Sequence, residues 1–164
     1  MRERLDRLDM KLLACLQEDN LQTADALAEQ VGRSPSAVAR RLRRLRATGA
    51  IAADVAILSD KAAGNPLSAV IHVQFERHGP QGEDALRRRL AASPNVQLCL
   101  DIAGAFDVLL LVVAPDMDAF NAFTAEHLAG QPAVRRFESS FVKRRVKASL
   151  AFPLAPLARR ERRG

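Results

Sequence analysis

Every residue from Val108 to Val113 is apolar, and the run ends at Pro115. A membrane-spanning helix needs about 20 consecutive apolar residues, so this run is too short to cross a bilayer and predicts a buried strand instead. Because side chains alternate between the two faces of a strand, residues 109–113 place apolar groups on both faces. A sheet containing this strand therefore needs a cover on each side.

The periodicity around this strand predicts a complete domain. The predicted elements are strands over 67–75, 96–102, 106–113 and 134–143, with helices over 81–92 and 116–128. This βαββαβ order is typical of the ferredoxin-like sandwich, in which two helices cover one face of a four-stranded antiparallel sheet. A second copy of the sheet is the simplest cover for the other face, which predicts a homodimer.

Three short helices are predicted before residue 50. The first is indicated by leucines at helical spacing: Leu5, Leu8, Leu12, Leu13 and Leu16. Thr23 caps a second helix of about two turns, which Gly32 ends, and Ser34-Pro35 starts the third. Two short helices joined by a tight, glycine-containing turn are typical of a helix-turn-helix DNA-binding unit. Residues 51–58 are interpreted as one or two short strands, the wing.

The third helix has an apolar side and a cationic side. The apolar side carries Val38, Leu42 and Leu45, and the cationic side opposite carries Ser36, Arg40, Arg43 and Arg44. Six arginines and no acidic residue occur from Arg33 to Arg46, which favours double-stranded DNA as the partner. We expect base contacts near the start of this helix and phosphate contacts further along, where Arg46 also lies. The residues expected at the DNA are Ser34, Ser36, Ala37, Arg40, Arg41, Arg43 and Arg44.

The charge is distributed unevenly along the chain. The formal net charge is +6, and residues 135–164 alone carry ten Lys/Arg against two Asp/Glu. The predicted organisation is a winged helix-turn-helix domain over 1–60, a turn-rich linker over 61–66, a second domain over 67–152 and a basic, disordered tail over 153–164. Such a tail attracts nucleic-acid phosphates without reading sequence.

The two cysteines and the first ten residues indicate the compartment. Cys15 and Cys99 lie in apolar stretches, with neither a CxxC spacing nor histidines at metal-ligand spacing, so both are expected to be small buried hydrophobes. No metal and no cofactor is expected. The first ten residues alternate charge with leucine instead of forming the apolar stretch of a signal peptide. We therefore expect a cytoplasmic protein without a membrane partner.

With both domains in place, residues 5–151 resemble the Lrp/AsnC family of feast/famine transcription regulators. The resemblance is carried by LDRLDMKLLACLQEDN and LAEQVGRSPSAVARRLRRLRATGAI in the first domain and by IAGAFDVLLLVVAP in the second. It implies an α+β protein with a winged helix-turn-helix and a ferredoxin-like, RAM-type sandwich. It also implies a nucleoid-associated regulator that dimerises, assembles into a larger ring such as an octamer, and binds an amino acid or related metabolite.

By position, the family's effector pocket maps onto a turn and one strand residue. The mapped residues are Gly104, Ala105, Phe106, Asp107 and Ser139. Backbone N–H groups of a glycine turn can receive a carboxylate, and an aspartate can pair with an amino group. The alternative is a plain hairpin, with Gly104 for geometry, Phe106 in the core and Asp107 in a local turn bond. Phe106 stands where the family often has tyrosine, which leaves the ligand's identity open.

Two other functions stay open at this point. An architectural DNA-binding protein, with little sequence preference and no effector, would use the basic end of the chain: Arg159, Arg160, Arg162 and Arg163. A branch of this fold decarboxylates sirohaem-type tetrapyrroles, for which His72, His78 and His127 would be the acid or axial-ligand candidates. These histidines form no recognisable catalytic cluster in the sequence, so a regulator that is not an enzyme is favoured.

Overall fold

A computed structural model describes residues 5–76 and 80–154. The chain forms two compact units, one built from the residues up to Ile57 together with the segment from Ala148, and one from Leu58–Lys147. The elements are α1 (Arg7–Glu18), α2 (Ala24–Val31), α3 (Pro35–Ala47), β1 (Leu67–Phe75), α4 (Pro80–Ala92), β2 (Val96–Asp101), β3 (Val108–Ala114), α5 (Met117–His127) and β4 (Val134–Phe141).

The last described segment, from Ala148, contacts the helices of the first unit, to which it belongs. There the side-chain amide of Gln17 donates to the carbonyl of Phe152 at 3.1 Å and accepts from its backbone N–H at 2.7 Å. The sequence alone could not place this segment, because its hydrogen bonds to Gln17 span 135 positions of the chain. Residues 155–164 of the predicted tail lie outside the described residues.

The first unit is a three-helix structure whose helix ends follow the cap residues. Asp6 and Asp9 form a capping box at the start of α1, and Thr23 caps α2. Gly32 ends α2 with a φ of +65°, a left-handed conformation that suits glycine. The core consists of Leu12, Leu27, Ala28, Val38, Leu42 and Leu45. The predicted helix-turn-helix is thus confirmed.

The strands predicted over residues 51–58 are not formed. This segment contains no strand, and Val55, Ile57 and Leu58 are exposed. Alternating apolar residues favour a strand only when a neighbouring strand accepts the backbone hydrogen bonds, and none does so among the described residues. The prediction of strands at these positions was therefore wrong.

The second unit is the predicted α+β sandwich. Its sheet is antiparallel in the order β2-β3-β1-β4, so that the first strand to be made lies between the last two. Both α4 and α5 pack on one face. The core between them comprises Ala69, Ile71, Val73, Phe75, Leu86, Leu90, Val108, Leu110, Val112, Ala114, Phe120, Phe123 and Leu128.

The face of the sheet opposite α4 and α5, here called the open face, is apolar over β2 and β3. Leu111 lies at its centre, paired with Leu98 on β2 and with Val70 on β1. Other apolar members are Leu100, Leu109 and Val113. The residues of β3 are alternately buried and half-buried along the whole length of the strand. The prediction that this strand is apolar on both faces is confirmed.

The cysteines are half-buried rather than fully buried. Cys15 packs beside the helical core and Cys99 beside the sheet core. Over residues 5–76 and 80–154, no group of three or more His, Cys, Asp or Glu is arranged to hold a metal ion. Within the same residues, no helix is both long and apolar enough to span a bilayer.

Candidate DNA-binding and effector sites

The start of α3 is built to leave its first residues at the surface. Ser34 caps the helix by accepting from the backbone N–H of Ala37 at 3.4 Å, and its Oγ lies 3.3 Å from Oγ of Ser36. Pro35 occupies a helical position that needs no N–H donor. Both serines are exposed, so polar groups are presented where a recognition helix meets base edges.

Two arginines of α3 are free to meet a polyanion. Arg40 and Arg43 are exposed, and neither has an ion-pair partner in the described part of the chain. They lie opposite the buried Val38, Leu42 and Leu45, which fix the inner face of the helix. Arg33, just before the helix, is also exposed and donates to the carbonyl of Gly32. These cations form an outward strip suited to phosphates and guanine edges.

Arg41 and Arg44, both expected at the DNA, have carboxylate partners within the chain. Nη1 of Arg41 lies 2.6 Å from Oδ2 of Asp6 and 2.8 Å from Oδ1 of Asp9. Nη2 of Arg44 lies 2.6 Å from Oδ2 of Asp9. Both arginines are therefore paired with carboxylates of α1 or its cap, because α1 packs along this flank of α3.

The ionisation of these groups follows from their contacts. The backbone N–H of Asp9, which donates to the Asp6 carboxylate, lowers the pKa of that carboxyl, and Arg41 lowers it further. Hydrogen bonds from Arg41 to the carboxylates of Asp6 and Asp9 raise the pKa of Arg41, and the bond to Asp6 has the larger effect. Both shifts favour the charged forms of Asp6 and Arg41, which therefore form an ion pair at neutral pH.

Arg46 likewise has a carboxylate partner. Its Nε lies 2.7 Å from Oδ2 of Asp54, and this hydrogen bond raises the pKa of Arg46 and lowers that of Asp54. A contact from Arg46 to a DNA phosphate would therefore compete with Asp54, and it stays a prediction. The segment from Arg33 to Arg46 contains no acid, but acids from other segments neutralise three of its six arginines.

Asp107 joins the turn after β2 to the end of β1. Its Oδ2 accepts from the backbone N–H of Phe75 at 2.8 Å, and its own N–H donates to the carbonyl of Val73 at 2.9 Å. Its carbonyl accepts from Ile102, which closes the turn. One carboxylate oxygen is therefore engaged in structure, and no hydrogen bond from a described residue to Oδ1 was found.

Phe106 lies over the polar part of the open face. Its ring centroid is 5.3 Å from that of His72, and the guanidinium carbon of Arg136 lies 4.9 Å from the ring centre. Arg136 is held in turn by Gln74 at 3.0 Å and Glu138 at 3.2 Å. The aromatic ring and a guanidinium group thus flank the turn. No sequence pattern indicated Arg136, because its position depends on the register of β4 against β1.

Gly104 and Ser139 bear differently on the predicted pocket. Gly104 and Ala105 are exposed; Gly104 does not adopt a left-handed conformation, and a methyl group there would meet no described atom within 4 Å. Folding of the described chain therefore does not require glycine at this position.

Ser139 pairs with the buried Ile71, which puts it on the face that α4 and α5 cover, whereas Phe106 contacts the open face. A single copy of the chain does not bring these two residues together.

The histidines do not converge either. His72 lies on the open face beneath Phe106. His127 lies at the end of α5 on the other side of the sheet, against Phe123, with Nε2 3.8 Å from Glu126. His78 falls outside the described residues. The two described histidines therefore form no shared site.

Each part of the chain matches a described family. Residues 5–52 match winged helix-turn-helix DNA-binding domains, and residues 68–152 match the Lrp/AsnC ligand binding domain. An uncharacterised HTH-type transcriptional regulator of Sinorhizobium fredii is 37% identical over 150 residues, which is 92% of this chain and 89% of that protein. The leucine-responsive regulatory protein of Rhizobium meliloti is 33% identical, covering 90% of this chain and 94% of its own.

Solved structures give the same result. A transcriptional regulator of Neisseria meningitidis in complex with L-Met superposes with a TM-score of 0.83 at 32% identity, covering 92% of this chain and 97% of that one. An AsnC family transcriptional regulator from Agrobacterium tumefaciens has a TM-score of 0.83 at 29% identity, with the same coverage of both chains.

Proposed function

Because the chain belongs to the Lrp/AsnC family of transcriptional regulators, we propose that it reads specific DNA sites with α3 and responds to a small metabolite bound at the turn before β3. It works by binding and not by catalysis, at the nucleoid. The observation that carries this proposal is the outward strip of α3, where Arg40 and Arg43 are exposed without carboxylate partners in the described chain.

The proposed division of labour on α3 follows from exposure. Ser36, Ala37 and Arg40 are the base-reading residues, since they lie in the first turns of the helix. Arg43 contacts phosphate, with Arg33 as a further candidate. Ser34 acts mainly as the helix cap. Selection of bound duplexes from a random pool tests this division, because a sequence-specific regulator enriches one motif and a non-specific binder enriches none.

We propose an amino acid as the metabolite. In support, one structural neighbour is a complex with L-Met, and one relative is named a leucine-responsive regulatory protein. The exposed backbone at Gly104 and Ala105 offers N–H groups to a carboxylate, and Asp107 offers Oδ1 to an ammonium group. Thermal unfolding in the presence of each proteinogenic amino acid in turn identifies the ligand.

Asp107→Asn is expected to keep the fold and lose the ligand response. The asparagine Oδ1 still accepts from the backbone N–H of Phe75, so the turn persists, but the charge that pairs with ammonium is gone. A ligand at about 100 times its Kd adds about 2.7 kcal/mol of stability to the parent. We expect most of this increment to vanish in the variant, measured as the ligand-induced change in Tm.

Asp118→Asn is the matched control, because it removes the same charge from an exposed position in the first turn of α5. It should retain the ligand-induced shift. A full shift in Asp107→Asn would make Asp107 a turn residue only, and the effector proposal would then have to move to other groups.

The proposed assembly is a homodimer formed through the open face, with dimers joined further into a ring such as an octamer. The apolar members of that face support the dimer, since Leu100 alone is still 46% exposed in a single copy. The separation of Phe106 and Ser139 on opposite faces supports a pocket completed by a neighbouring subunit.

An architectural, effector-independent protein is the competing function, and the basic tail tests it. Replacing Arg159, Arg160, Arg162 and Arg163 by glutamine removes four positive charges. For a specific regulator we expect weaker binding to random DNA, a salt dependence reduced by about 0.9 in log–log slope for each lost phosphate contact, and a higher ratio of specific to random affinity. A parent protein that binds selected and random duplexes equally at one salt concentration would instead support the architectural function.

A further inference from the structure

Four charged residues connect α1 to α3, and we call them the aspartate clamp: Asp6, Asp9, Arg41 and Arg44. Asp9 is its centre, because its side chain is only 1% exposed. Its Oδ1 accepts from Arg41, and its Oδ2 accepts from Arg44 and from the backbone N–H of Asp6. A capping box alone needs one of these oxygens and no arginine. The clamp is therefore more than a helix cap.

The clamp changes which cations α3 presents. Arg41 and Arg44 lie one turn apart on the flank of α3 that faces α1, and their charges are balanced there by Asp6 and Asp9. Arg43, between them in sequence, points outward and is exposed. Each guanidinium placed on a DNA phosphate adds affinity for any sequence, so withdrawing two of them lowers random binding more than specific binding.

We propose that Asp9 is a specificity-determining residue of the DNA-binding unit, acting by holding Arg41 and Arg44 against α1 and away from DNA phosphates. It is a positioning residue, since it acts through the two arginines and does not touch DNA. The inference rests on the proposed function of α3. It reverses the sequence-based expectation, in which Arg44 is a phosphate contact equivalent to Arg43.

The first experiment compares Arg44→Gln with Arg43→Gln on a random-sequence duplex over a series of salt concentrations. For Arg43→Gln we expect the log–log slope of affinity against salt to decrease in magnitude by about 0.9, as one phosphate contact is lost. For Arg44→Gln and Arg41→Gln we expect the slope of the parent. An equal decrease for Arg43→Gln and Arg44→Gln would overturn the proposal.

The second experiment releases the arginines. Asp9→Asn removes the buried charge, and we expect a steeper salt dependence on random DNA, by about 0.9 for each arginine that reaches a phosphate, with a lower ratio of affinities for the selected and random duplexes. The double variant Asp9→Asn/Arg44→Gln should lose part of this increase, because the effect of Asp9 passes through Arg44. Asp118→Asn, which removes a charge from an exposed position in the first turn of α5 and releases no arginine of α3, serves as the control and should keep the parental slope.

The outcomes separate this inference from the proposed function. If the parent shows no salt-dependent binding to DNA, the proposed function fails. If the parent binds but folded Asp9→Asn keeps the parental slope and ratio, Asp9 is only a packing residue and the inference fails. Thermal unfolding of each variant shows at which temperatures it is folded, and DNA binding is compared at a temperature where it is. If Asp9→Asn does not fold at any temperature, the single arginine variants decide the question.

Discussion

Leu111→Asp is expected to convert the proposed dimer to a monomer. Leu111 lies at the centre of the open face, between Leu98 on β2 and Val70 on β1. A carboxylate there would be buried without a partner in the dimer, at a cost of roughly 3–5 kcal/mol, whereas in the monomer it is hydrated. The dissociation constant of the dimer should rise by at least about 100-fold. Sedimentation equilibrium measures it directly.

The control for this change is Asn121→Asp, which adds the same charge on an exposed position of α5 on the other side of the sheet. It should leave the dimer intact. Aspartate is also unfavourable in a strand, so the fold of each variant has to be checked, and circular dichroism does so. A folded Leu111→Asp variant that still dimerises like the parent would exclude the open face as the interface.

Arg40→Gln is expected to reduce affinity for the selected DNA site by about 1–3 kcal/mol, which is roughly 5- to 150-fold. Arg40 is exposed one turn beyond Ser36, on the part of α3 where a recognition helix meets base edges. Its loss should also relax the preference at one base position, because a guanidinium group that binds guanine through two hydrogen bonds discriminates against other bases. Fluorescence anisotropy with single-base variants of the site measures both effects.

Arg43→Gln is the comparison for Arg40→Gln, since it removes the same charge one turn further along the outward strip. Its effect should be smaller and nearly equal on selected and random duplexes, as expected for a phosphate contact. If Arg40→Gln also weakens both duplexes equally, Arg40 contacts the DNA backbone and another residue, such as Ser36, reads the base.

The sequence predicted what local chemistry decides. Helix ends followed from side chains next to them, such as Thr23 at the start of α2 and Gly32 at its end. The order of strands and helices followed from the spacing of apolar residues, which is also a local property. Both survive any change in distant parts of the chain, and for that reason they could be recognised without a structure.

The sequence failed where a residue's partner is distant in the chain. The clamp joins Asp9 to Arg44 across 35 positions, so the carboxylate partner of this arginine could not be predicted from a helix that contains no acid in its own sequence. The bond from Asp107 to the backbone of Phe75 spans 32 positions. Periodicity carries no information on such pairs. The side of the sheet on which Ser139 lies depended likewise on the register of β4.

The strand order of the second unit has a consequence for biosynthesis. The helical core of the first unit uses only residues before position 46, so it can close soon after those residues leave the ribosome. β1 is made next. Its neighbour β3 follows only after α4 and β2, and its other neighbour, β4, follows only after α5. Between the completion of β1 at Phe75 and that of β3 at Ala114, the chain therefore consists of a helical DNA-binding core followed by an apolar strand with neither edge paired. Contacts over such sequence distances form slowly, and the unpaired strand is where nascent chains are most exposed to aggregation.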